Sequence, residues 1–192
     1  MFLPLSRAID KLNEKIAGAV SWALLIAVII CTGNALMRYI FKMSSNSWLE
    51  IQWYLFAAVF LLASAHTLKR DEHVRIDVIT SHFSKRTQVW IDLAGYLLFL
   101  LPVCLVILYY GIPFARYSFV SAEMSSSAGG LIVWPAKLLV PVGFALLILQ
   151  GISEIIKRIA FLAGRIDGHE FAKHATTPEE EVEAIKAANQ LQ

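Results

Sequence analysis

The chain has 192 residues, of which 57% are hydrophobic and only 17% charged, and its mean hydropathy of +0.60 excludes an ordinary soluble domain. A net charge of +2, with the basic residues clustered between apolar runs, excludes a nucleic-acid partner. Cys31 and Cys104 both lie inside apolar runs. There they behave as small hydrophobes, forming neither a disulfide framework nor a metal-ligand pair.

Four apolar segments are long enough to cross about 30 Å of hydrocarbon as helices: about 17–41, 48–68, 88–114 and 131–157. They are apolar on all sides, which excludes the alternation of a membrane strand. The expected fold is an all-α membrane protein: a four-helix transmembrane domain over 1–164, followed by a polar tail over 165–192. The first run exceeds twenty residues, lacks a small-residue cleavage site and continues into Arg38 and Tyr39, so it reads as a retained span.

Lys and Arg number three before the first span (Arg7, Lys11, Lys15), five between the second and third (Lys69, Arg70, Arg75, Lys85, Arg86) and five after the fourth (Lys157, Arg158, Arg165, Lys173, Lys186). Only Arg38, Lys42, Arg116 and Lys137 fall on the other side. The positive-inside rule therefore predicts that both termini are cytoplasmic. Trp22 and Trp90 fall near the inner interface so defined, and Tyr39, Trp48, Trp53, Tyr117 and Trp134 near the outer one, as interfacial aromatics do.

Along the first span Ala19, Ala23, Ala27, Cys31 and Ala35 recur every fourth residue. Such a small-residue stripe lets another helix, of this chain or of a partner, approach closely. Asn34 and Arg38 share a face near the outer end, where an arginine snorkels or finds an acceptor. Ser47-Trp48-Leu49-Glu50 has the form of a capping box, with Ser47 capping the second span and Glu50 reaching back to its first amide. Glu50 could equally pair with Arg38 or Lys42 across the short connection.

His66 stands alone within a span, whereas a haem anchor generally needs two facing ligands. Between spans two and three, charges alternate with Val74, Ile76 and Val78. That pattern predicts an amphipathic segment along the inner surface with its basic groups at anionic headgroups. His73 and Asp77 within it lack a nucleophile or second carboxylate, so a solvated linker is the simpler reading. In the fourth span Gln150 and Glu154 share a face, and Gln150 is expected to hydrogen-bond another helix. Pro102, Pro135 and Pro141 start or kink helices. In the tail, Thr177-Pro178-Glu179-Glu180 has the form of a helix start.

No phosphate-binding loop, metal-ligand cluster, activated nucleophile or inverted repeat with broken helices is present in the sequence, which argues against an enzyme or an autonomous pump. The ordered pieces instead resemble a known family over most of 10–160. They are Arg38-Tyr39 closing span one, Trp48 and Glu50 opening span two, and His73-Val74-Arg75-Ile76-Asp77 after it. Gly129-Gly130-Leu131, Trp134-Pro135, Lys137 and Pro141-Val142-Gly143 follow, leading into Leu149-Gln150-Gly151-Ile152-Ser153-Glu154. The chain is similar to the small (DctQ-like) membrane subunit of tripartite ATP-independent periplasmic (TRAP) transporters, in the branch labelled for mannitol or chloroaromatic compounds. It departs from that pattern beside Glu50, where Leu49 and Ile51 replace a frequent second acid.

The resemblance implies a bacterial inner-membrane assembly in which a periplasmic binding protein delivers an organic acid to a large membrane subunit driven by a sodium gradient. The small subunit would bind no cofactor itself and act as a stator for the large one. Two other readings are open on the residues: a haem or quinone anchor, from His66, Arg38 and Tyr39, and an autonomous four-helix channel, from Arg38, Gln150 and Glu154.

Overall fold

A computed structural model describes residues 3–43, 45–70 and 83–164, and these form helices with short connections. The first helix, α1 (Leu3–Phe41), has 39 residues and so is about 58 Å long, nearly twice the hydrocarbon thickness. The predicted span began at 17, and the helix starts fourteen residues earlier. The basic residues Arg7, Lys11 and Lys15 lie on its exposed side, while Ser6, Ile9, Asn13 and Ala17 are buried. A helix with one face packed and the other charged needs no apolar run to persist beyond the bilayer.

After a tight turn in which Lys42 takes a left-handed backbone (φ 54°), α2 (Asn46–Arg70) returns antiparallel. The third crossing is composite: α3 (Lys85–Gly95), a five-residue π turn (Tyr96–Leu100) and α4 (Leu101–Val120). The π turn closes with the Leu101 amide on the Tyr96 carbonyl and sits directly before Pro102. Widening the helix there relieves the clash between the proline ring and the preceding turn. Ser84 caps α3 through a bond from the Thr87 amide.

A connection over 121–133 leads to α5 (Trp134–Leu162), which Pro135 begins and which runs unbroken through Pro141. Four crossings are thus long and apolar enough to span a membrane. The helix α5 is central: it packs on α1, α2, α3 and α4, while α1 also packs on α2. At the closest α2–α5 approach, a Cβ on Gly143 would stand 2.8 Å from the Leu61 Cβ and 2.9 Å from its carbonyl oxygen, so only glycine admits this crossing. Below, the end holding the start of α1 is called the lower end, and the end holding the α1–α2 turn the upper end.

Candidate functional site

Polar side chains gather at both ends of the bundle. At the lower end, Ser6, Asp10 and Asn13 follow one another at helical spacing on α1. Gln150, Ser153, Glu154 and Lys157 do the same on α5. The antiparallel packing of the two helices mates these faces. Gln150, 0% exposed, accepts from Asn13 Nδ2 at 2.8 Å and donates through Nε2 to Asp10 at 2.9 Å and Glu154 at 3.1 Å. Ser6 and Ser153 share a hydroxyl–hydroxyl bond of 2.7 Å, and Ser153 also donates to Asp10 at 2.9 Å.

Charges complete this latch. Lys157 bridges Asp10 at 2.7 Å and Glu154 at 2.8 Å. Arg158, 4% exposed, donates to Glu154 at 2.6 Å and to Asp92 of α3 at 3.2 Å. Its guanidinium also lies 4.5 Å from the centre of the Tyr96 ring, which the π turn presents. Away from water, buried charges persist only when paired and hydrogen-bonded, and three helices supply the partners here. Beside the cluster, Lys69 of α2 pairs with Glu14 at 3.3 Å.

At the upper end, Glu50 is 5% exposed. It makes neither the capping box nor the pair with Arg38 or Lys42 that its sequence context suggested. Its carboxylate accepts from the Leu131 backbone amide at 2.6 Å and from the Ser125 hydroxyl. The reason is register: α2 begins at Asn46, so Glu50 sits one position past the first full turn and too far along to cap it. Ser47 does not cap either, because its hydroxyl donates to the Gly129 carbonyl. Asn46 donates to the Ala128 carbonyl at 2.9 Å and Tyr54 to that of Ile132 at 3.2 Å.

The first two and a half turns of α2 thereby clamp the 121–133 connection, itself a small hairpin with Ser125 N–H on the Leu131 carbonyl and Val133 N–H on that of Glu123, both at 2.9 Å. Gly130 is required: a Cβ there would come within 2.5 Å of the Ser125 Cβ and 2.9 Å of the Glu50 carboxylate. Lys137 bonds Glu123 at 2.5 Å and lies 4.3 Å from the centre of the Phe114 ring. The Lys137 ammonium holds the Glu123 carboxyl below its ordinary range.

The small-residue stripe does not form one face of the bundle. Ala27 is 0% exposed and Ala23 half-buried, but Ala19, Cys31 and Ala35 are exposed. A fourfold spacing advances about 40° per step on a helix of 3.6 residues per turn, so from Ala19 to Ala35 the stripe winds almost halfway round α1. Arg38 is exposed at the upper end. His73, Asp77 and the amphipathic segment around them lie outside the described residues, as do the tail over 165–192 and its expected helix.

Sequence reasoning singled out Gln150 and Glu50 and set Glu154 close to Lys157 and Arg158, as the structure has it, but missed Ser6, Asp10, Asn13, Asp92 and Ser153 as their partners. The signal was present in the matching eight-residue polar faces of 6–13 and 150–157. Reading 1–16 as a tail hid it.

The family described as "Tripartite ATP-independent periplasmic transporters, DctQ component" matches residues 20–161, the stretch holding all four crossings. The chain belongs to this family. It is accordingly the small subunit of a TRAP transporter, a family of transporter components and not of enzymes. None of the curated proteins matches the chain. The matched range takes in Glu50, the 121–133 hairpin and the α5 half of the lower latch, while Ser6, Asp10 and Asn13 precede it.

Proposed function

We propose that this DctQ subunit is a fixed scaffold for the large membrane subunit in sodium-coupled uptake of an organic acid, which a periplasmic binding protein delivers. In this reading it is a multi-pass protein of the bacterial inner membrane, the lower end is cytoplasmic and the upper end faces the periplasm. The excess of lysine and arginine at the lower end supports that orientation. The observation that carries the scaffold reading is that the buried polar groups at both ends bond mainly to other helices and loops of the same chain. Gln150, Glu154 and Glu50, the groups that a solute pathway would use, are spent on holding α1, α5 and the 121–133 hairpin in place. A stator must be stiff, and such latches stiffen it.

The test is sodium-dependent uptake by the large subunit and binding protein, reconstituted with and without this chain. Uptake that requires the chain, with no flux through the chain alone, is the expected result. Undiminished uptake in its absence overturns the reading. The exposed part of the α1 stripe suggests where the large subunit would seat. Cys31→Leu is expected to weaken co-purification with it while leaving the isolated chain as stable as before. Ala27→Leu is a poorer probe, because Ala27 already packs inside the chain.

A further inference from the structure

Between α4 and α5, in the upper half of the bundle, runs an open groove with a volume of about 520 Å³ and walls that are almost wholly apolar. Its floor is built from small or flat residues, Ala115, Pro141 and Ala145, and it extends from Leu108 in mid-span to Phe119 and Trp134 at the mouth. The eleven helical steps from Leu108 to Phe119 correspond to about 16 Å, close to the roughly 15 Å of hydrocarbon in one leaflet. At the mouth the rings of Phe119 and Trp134 meet edge to face, 5.2 Å apart, at the depth where tryptophan marks a membrane interface.

Arg116 also lines this groove. The two cations near the mouth differ in what they hold. Lys137 is neutralised by Glu123 and seated on Phe114, whereas Arg116 is exposed and has no ion-pair partner among the described residues. An unneutralised guanidinium about one turn below the mouth of an apolar slot one leaflet long, within snorkelling reach of the headgroups, matches the two halves of a phospholipid. Guanidinium binds phosphate in bidentate geometry.

We propose that the α4–α5 groove is a binding site for an anionic phospholipid, with one acyl chain lying between Leu108 and Trp134 and the headgroup phosphate on Arg116. The site requires only that the chain resides in a bilayer and is separate from the question of scaffold function.

Native mass spectrometry of the delipidated full chain, titrated with phosphatidylglycerol or with phosphatidylcholine of the same acyl chains, tests it. One phosphatidylglycerol is expected to persist per chain at collision energies that strip phosphatidylcholine. Arg116→Gln should lower its retention at least fivefold, to the phosphatidylcholine level. Ala145→Leu, which fills the floor, should abolish retention of both, and Arg86→Gln at the other end should change nothing. Helix content by circular dichroism is expected to be equal in all variants. Equal retention of the two lipids, or retention unchanged by Arg116→Gln, overturns the proposal. So does loss of the large subunit from Arg116→Gln preparations with lipid adducts intact, which would make the groove a seat for a protein helix.

Discussion

At the lower end of the bundle Glu154 lies between Lys157 and Arg158, whereas at the upper end Glu50 is held by a backbone amide and a hydroxyl, with no cation paired to it among the described residues. Each carboxylate is nearly buried. The lower latch is made of side chains from three helices, so its members are replaceable only in charge-matched sets. The upper clamp sets side chains of α2 mainly on loop backbone, the carbonyls of Ala128, Gly129 and Ile132 and the amide of Leu131, so its demand falls on the shape of a loop. The contrast teaches that charge changes should injure the lower end and steric changes the upper.

The largest expected effect is Arg158→Met. It leaves Glu154, Asp92 and Asp10 to share Lys157, and removing one member of a buried ion network typically costs about 3–5 kcal/mol. Equilibrium unfolding in mixed micelles measures it. Glu154→Gln should cost far less, since the remaining charges resolve into two pairs, Asp10 with Lys157 and Asp92 with Arg158. A Glu154→Gln loss as large as that of Arg158→Met would break the charge-matching argument.

Next in size is Gly130→Ala, where overpacking against Ser125 and Glu50 should cost about 1–3 kcal/mol. Protease cleavage within 121–133 should accelerate while the lower latch, monitored by hydrogen exchange at 6–13, stays protected. Simultaneous loss of protection at both ends would mean that the ends are one cooperative unit. Ser6→Ala follows, at about 0.6 kcal/mol, the average for a helix–helix hydrogen bond in a membrane protein, since Asp10 and Gln150 still hold α1.

The smallest effect is a pH dependence at the upper end. The Glu123 carboxyl is depressed by Lys137, so the stability it lends the hairpin is complete above its ordinary value near 4.5. That stability is lost only as pH falls through the lower folded value. Hydrogen exchange of the hairpin amides should therefore rise well below that pH. In Lys137→Gln the rise should move upward toward it; an unmoved profile would show that another group controls the loop.

Much of the architecture was readable because the bilayer leaves so few options. Four apolar runs of sufficient length become four helical crossings, and Gln150, set in such a run, had to find a partner helix. The sites were less readable for reasons that differ between the ends. Asp10 and Asn13 sit among Arg7, Lys11 and Lys15, and their polarity looked like solvation until α5 supplied a matching face 137 residues away. Glu50 was visible as a carboxylate needing a partner. That partner is the amide of Leu131, and an amide carries no signature in its side chain. The π turn at Tyr96–Leu100 was hinted at only by Pro102.

The central position of α5 also fixes an order of events during synthesis. Asp10 and Asn13 leave the ribosome long before Gln150, and at 5–20 residues per second the wait is on the order of 10 s. Through that interval α1 and α2 can already cross the membrane, but the polar face of α1 has nothing to bond except water and headgroups. The lower latch is therefore the last joint to close, and a chain stalled before α5 would carry that open face to the cell's quality-control machinery.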